Sequence, residues 1–381
     1  MASIQGIRMP DPDVYRRLQQ HLDRMPVGFP ATESGVEIRI LTRLFTAEDA
    51  ELALALSAIP ETLSVIHRRI HRRLSRDALA ARLDDMAERG LIERSDTRRG
   101  VRYGKSLLAV GIYERQLTRL TPELQRDLDE YISLAFGRAF HAANTPQLRT
   151  VPINETIASR GVARYDDIRA FVKQTDGPFA VMDCICRRGH DLIGEPCRQT
   201  DARETCLTFG PAAEAVVSGG AAHFVDREAV LRVLDAADHE GLVLQPQNTR
   251  APLFVCCCCG CCCGILKSAR DLPEPAAAFS TNALARSDVA RCAGCGTCLT
   301  RCQMDAISLE AGSAVVIDGR CIGCGLCVTT CPSGAMALEP RGEARVPPAD
   351  TSALYTRIFL ERFGKFAAVV AVGRHAVGLK V

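Results

Sequence analysis

Residues 291–310, RCAGCGTCLTRCQMDAISLE, align without gaps on residues 320–339, RCIGCGLCVTTCPSGAMALE, so the segment is an internal duplication. Each copy carries four cysteines in the spacing C-x2-C-x2-C-x3-C. No other feature limits the fold so tightly, because thiols this dense must converge on metal or redox chemistry. Zinc modules usually present paired C-x2-4-C knuckles rather than two repeated four-cysteine runs. The duplication therefore points to iron-sulfur clusters.

The repeated run resembles the two-cluster bacterial ferredoxins over residues 285–342. That resemblance implies two 4Fe-4S clusters, with the fourth cysteine of each run ligating the other cluster. The implied sets are Cys292, Cys295, Cys298 and Cys331 for one cluster, and Cys321, Cys324, Cys327 and Cys302 for the second. Gly294, Gly296, Gly323 and Gly325 let the backbone curl around each cube and aim N–H groups at the sulfides. Ser308–Glu310 and Ala314–Asp318, around Ala311-Gly312, fit the hairpin of such modules. Pro332 follows the last cysteine of the second copy, whereas Gln303 stands there in the first. The family further implies low-potential, one-electron transfer between redox proteins.

The chain has 19 cysteines, none before residue 184. Eleven lie outside the duplication. Cys184, Cys186, Cys197 and Cys206 form C-x-C-x10-C-x8-C, enough thiolates for a further 4Fe-4S cluster or one zinc ion. The remaining seven form the box CCCCGCCC at 256–263. Adjacent thiols on an extended chain point to opposite faces, so Cys256 with Cys258, or Cys257 with Cys259, can act together while Gly260 bends the chain. Cys256, Cys258, Cys259, Cys261, Cys262 and Cys263 are thus candidates for another centre. The repeated Cys-Cys-Gly resembles the heterodisulfide reductases, whose wider spacing is absent. The layout as a whole resembles a group of iron-sulfur proteins of anaerobic or aromatic-degrading bacteria. The matching segments are Cys184-Ile-Cys186-Arg187, Gly241-Leu-Val243 with Asn248, and Val255 through Cys263.

With 47 Lys and Arg against 45 Asp and Glu, the net charge of +2 supplies no global argument for nucleic acid or an anionic membrane. The opening residues lack an apolar signal core, and the stretch Phe366–Leu379 is too short and too charged to span a bilayer. The expected location is the cytoplasm, where cysteines serve metals rather than disulfides.

The expected fold class is α+β and multidomain. Residues 1–145 read as a helical, winged-helix-like domain with its core at 46–105. Thr46 and Asp49 fit a capping box, and a helix is expected from there to Pro60. Helices carrying Leu63, Ile66 and Ile70, then Leu79, Leu83 and Met86, precede a hairpin wing through Gly100. Residues 111–142 continue as helix, and Thr145–Pro152 reads as a linker. Residues 150–280 read as an α/β cysteine-rich domain. A strand is expected at Phe179–Met182, a helix from its cap Asp226 to Gly241, and strands at Leu242–Leu244 and Pro252–Val255. The ferredoxin-like βαββαβ module takes 285–342, and a helical tail takes 343–381.

No phosphate loop and no dinucleotide fingerprint is present, and no histidine forms a catalytic motif; His190 and His223 merely lie near the cysteine groups. The expected function is electron transfer through the two clusters, to or from a redox protein, with a further iron-sulfur or zinc centre in the middle domain. One alternative is a redox-responsive DNA-binding regulator, suggested by Arg68, Arg69, Arg72, Arg73, Arg98, Arg99 and Arg102. Against it, the third helix carries Asp84, Asp85 and Glu88 where DNA favours cations. Another is an enzyme whose middle-domain cluster binds substrate. The tail, with Tyr355, Phe359, Phe363 and Phe366 beside Arg357, Arg362 and Lys365, is a candidate surface for a partner or a membrane.

Overall fold

A computed structural model describes residues 13–98, 100–153, 164–376 and 378–381. Arg99 of the expected wing lies outside the described residues. The chain forms two compact units. Met1–Gln116, Arg126–Ala139 and Phe363–Val381 make the first; Leu117–Gln125 and Phe140–Arg362 make the second.

In the first unit the capping box forms as the sequence implies: the Thr46 side chain accepts from the Asp49 N–H and the Asp49 carboxylate accepts from the Thr46 N–H. The helix Ala47–Ala53 ends short of Pro60. Its chain tightens into i→i−3 bonds, Ala55 N–H to Leu52 and Leu56 N–H to Ala53, which turn Leu56 into the core. The strand β1 (Glu61–Thr62) follows, then the helices Leu63–Arg69 and Arg76–Glu88, then β2 (Ile92–Thr97) and β3 (Gly100–Lys105). The sheet is antiparallel in the order β1-β3-β2. Ile66, Leu79, Leu83 and Met86 are fully buried beneath it. Of the helix expected over 111–142, residues 122–141 form one run with a π turn at Ile132–Phe136, whereas 111–121 are short turns; the run starts at Pro122, whose ring suits a first helical position and not an interior one.

In the second unit, β4 (Phe179–Asp183), β5 (Glu204–Phe209), β6 (Ala222–Val225), β7 (Val243–Pro246) and β8 (Phe254–Cys258) form a sheet in the order β6-β4-β5-β8-β7. Every pairing is antiparallel, which corrects the α/β expectation to α+β for this domain. The antiparallel arrangement gives the sheet one apolar face and leaves the other for polar groups. On the apolar face, Leu207 and Val255 pair across β5 and β8 beneath the helix Arg227–Glu240. That helix buries Val230, Leu234 and Ala237 along one stripe, is capped by Asp226 and ends at Gly241 in the left-handed conformation. The supposed linker at 145–152 is a packed edge segment: Leu148 bridges Gln247 and Val151 bridges Leu244. Its hydrogen bonds to the β7 edge satisfy backbone groups that a free linker would leave to water.

Further along, β9 (Ala283–Ser287) pairs with β12 (Met336–Pro340), and β10 (Ile307–Glu310) with β11 (Ser313–Val316). Short helices, Thr297–Arg301 and Leu326–Thr329, complete a βαββαβ order. The hairpin turns at Ala311 and Gly312, both at positive φ. The cysteine-rich sheet and this module fall in one unit, and the tail is divided. Its segment Thr351–Ala376 is interrupted at Gly364 (φ 81°, ψ 167°). Phe366 and Val369 are 84% and 70% exposed. No helix among the described residues is long and apolar enough to cross a membrane.

Candidate metal centres

The short helices after each run of three cysteines swing the fourth thiol across the module. The thiolates acting on Cys298 are those of Cys292, Cys331 and Cys295, so Cys331 joins the first run. Those acting on Cys324 are Cys302 and Cys321, so Cys302 joins the second. Cys302, Cys321, Cys324 and Cys327 line one cavity with Ile307 and Leu326. Backbone N–H groups point at the sulfurs: Ala314 to Cys292 (3.4 Å), Ala306 to Cys302 (3.3 Å) and Ala285 to Cys321 (3.4 Å). Such donors favour the anionic form of a thiolate and of any cluster it holds.

The two sets differ in setting. The N–H groups of Ala314 and Gly294 hold the Cys292 thiol below its ordinary range, and the hydroxyl and N–H of Thr297 do the same for the exposed Cys295. In the other set burial pushes Cys324 up to about 12 and raises Cys327 as well. Gly294, Gly296, Gly323 and Gly325 all have φ between 65° and 78°. A Cβ on Gly323 would stand 2.3 Å from the Ala283 carbonyl, so only glycine fits that turn.

The eleven other cysteines divide in a way the spacing did not reveal. Cys197, Cys259, Cys261 and Cys262 place their sulfurs within 4.8 Å of one another. The separations are 3.6 Å for Cys197–Cys259, 3.5 Å for Cys197–Cys261 and 3.7 Å for Cys261–Cys262. Cys197 thus leaves the expected set with Cys184, Cys186 and Cys206 and joins the box. The turn Cys259–Cys263, closed by a Cys263 N–H bond to the Cys259 carbonyl, gathers the three box thiols. Hydrogen bonding with Cys259 and Cys262 holds the Cys261 thiol down to about 3, while hydrogen bonding with Cys259 and Cys261 raises Cys262.

Six of the remaining seven form a file across the polar face of the sheet. Cys256 lies opposite Cys206 in the ladder and is hydrogen-bonded to it and to Cys258. Cys258 meets Cys263, Cys263 meets Cys186, and Cys186 meets Cys184. Of the two alternatives for the extended part of the box, Cys256 with Cys258 is the pair that forms. Cys257 points to the opposite face, 1% exposed within the apolar core. His223 is exposed beside Glu204, and the buried His190 faces Glu195.

Arg187, fully buried, lies among these thiols. It donates to the Cys257 carbonyl at 2.8 Å and to the Thr205 hydroxyl. Burial opposes its charge, but the thiolates of Cys184, Cys259 and Cys258 outweigh burial and raise its pKa. Its Nε has no hydrogen-bond partner among the described residues, and neither does either amide atom of the fully buried Gln245, which sits directly opposite Cys256 on the same face. Buried polar atoms left in this state fit a site for an anionic group.

One side chain joins the module to the box. Gln303 accepts from the Gly260 N–H at 2.7 Å and donates to the side-chain oxygen of Gln199 (3.1 Å) and the carbonyl of Gly241 (3.2 Å). The approach is so close that a Cβ on Gly260 would lie 2.9 Å from Gln303 atoms. Sequence comparison of the two copies singled out this position without showing its partners.

Residues 291–336 match the 4Fe-4S dicluster domain. No curated protein and no solved structure matches the chain. The chain therefore carries a 4Fe-4S dicluster domain together with a separate cysteine-rich region.

Proposed function

We propose that this is an electron-transfer protein that passes single electrons through two 4Fe-4S clusters to or from a redox partner, with further metal in the cysteine-rich domain. The observation that carries this reading is the exchange of fourth cysteines: Cys331 stands with Cys292, Cys295 and Cys298, and Cys302 with Cys321, Cys324 and Cys327. Those two sets are the proposed ligands. The exposed Cys295 puts the first set at the surface, where a partner protein can approach, and the reducing cytoplasm is the compartment that suits free thiols in this number.

Iron, acid-labile sulfide and electron paramagnetic resonance of the reduced, anaerobically purified protein test it. Two four-iron clusters require at least about eight irons and eight sulfides per chain. A chain with fewer than four irons, or one that is silent on reduction, would sink the reading.

A redox-responsive DNA-binding regulator is a second reading, favoured by the order of elements in the first unit. The run of helices, the β1-β3-β2 sheet and the β2–β3 hairpin support a winged-helix reading. Arg68, Arg72, Arg73 and Arg98 are exposed, whereas Arg69 is engaged by Glu61 at 2.7 Å. Asp84 is itself occupied by Tyr103 and Arg94, which lessens its repulsion of phosphate. Salt-dependent binding of duplex DNA by the full chain supports this reading; no binding at low salt excludes it.

A further inference from the structure

The two thiol groups of the cysteine-rich domain have different shapes, and shape selects the metal. A tetrahedral ion with metal–sulfur bonds of about 2.3 Å sets its sulfurs about 3.8 Å apart. Sulfur separations of 3.5 to 3.7 Å among Cys197, Cys259, Cys261 and Cys262 come close to that figure. A cubane presents its irons at four corners, so its thiolates stand farther apart. Among the described residues, neither thiol set of the ferredoxin module has its sulfurs all within 4.8 Å, whereas this group does.

The file of six is different. It runs from Cys206 through Cys256, Cys258, Cys263 and Cys186 to Cys184 rather than converging on a point. An isolated ion needs thiols that converge on one point, and among the described residues no three of these six have their sulfurs within 4.8 Å of one another. A polynuclear cluster spreads its ligands over such a length. It also brings anionic sulfide, which suits the unpartnered Nε of Arg187 and the unpartnered amide of Gln245.

We infer that the cysteine-rich domain holds two unlike centres: one tetrahedral ion of the zinc class on Cys197, Cys259, Cys261 and Cys262, and one iron-sulfur cluster on the file of six thiols beside Arg187 and Gln245. This rests on the reading that the domain binds metal at all. The single ion pins the turn at 259–263, the turn whose Gly260 N–H donates to Gln303. The ion is thereby structural, holding the ferredoxin module in register with the box, and the cluster is the redox member of the pair.

The test is elemental analysis of the anaerobically purified full chain and of two variants, with X-ray absorption at the zinc edge. The expected wild-type content is one zinc and about twelve irons per chain, four irons for each of three clusters. Cys261→Ser is expected to lose the zinc and keep the irons; Cys258→Ser is expected to lose about four irons and keep the zinc. Zinc bound by four sulfurs at about 2.3 Å supports the assignment in the unmodified protein, whether or not a variant folds. Loss of about four irons from Cys261→Ser, or a wild-type chain with no zinc, overturns it. A chain with eight irons and the ferredoxin resonance intact would refute the inference while leaving electron transfer standing; fewer than four irons would instead refute the electron-transfer reading.

Discussion

Arg187 shows how much of this molecule turns on single buried charges. Its guanidinium is matched by thiolates rather than by a carboxylate, and removing one member of a buried, compensated set typically costs about 3–5 kcal/mol. Arg187→Met is expected to lower the stability of the second unit by that order and to lose metal from the cysteine-rich region, while the ferredoxin irons remain; denaturant titration and metal analysis check both. Arg187→Lys should rescue little, because a lysine cannot reach the Cys257 carbonyl and the Thr205 hydroxyl together. In the first unit, burial and the charges of Lys380 and Arg24 bring Lys105 down to about 7. The folded state then binds fewer protons than the unfolded one between about pH 7 and the ordinary lysine range, so stability rises with pH across that window. Lys105→Met should flatten this rise, as thermal midpoints between pH 7 and 10 will show. The ferredoxin cysteines were legible because their spacing is the signal. The meeting of Cys197 with the box was not, since the two are brought together only by the fold.

At the scale of elements, β8 explains the cysteine box. A strand alternates its side chains, so Cys256 and Cys258 face the file of thiols and Cys257 faces the apolar core. Cys257→Ala is therefore expected to leave metal content unchanged and to destabilise only modestly, by about 1 kcal/mol for one small buried group. A loss of metal from that variant would show that β8 is turned over. The sequence supported this alternation and the bend at Gly260, along with the capping of the helices at Thr46 and Asp226. It failed at the segment 145–152, where polar residues and prolines looked like a linker. Arg149 makes that segment structural, donating to the carbonyls of Gln247, Thr249 and Tyr165 from a position 1% exposed. Composition cannot register bonds to a loop about a hundred residues away. The direction of the strands was equally hidden, because an apolar run reads the same in parallel and antiparallel sheets.

For the whole molecule, the relation between the ferredoxin module and the box depends on Gln303. Gln303→Pro, which copies the second repeat, would leave the Gly260 N–H buried and unsatisfied, a cost of about 1–3 kcal/mol. The expected result is faster hydrogen exchange at the Gly260 amide and an earlier unfolding transition, with the module's irons retained; unchanged exchange would show that the contact does not hold the box in place. The duplication makes this side chain consequential. A module built from two copies of one run is nearly self-similar, and nothing in the repeat itself decides which half should meet the rest of the chain. Proline at 332 can offer no such handle, while glutamine at 303 reaches Gly260, Gln199 and Gly241 at once. A single residue thus breaks the symmetry inherited from the duplication: the first half grips the Gly260 turn through a side chain that the second half lacks.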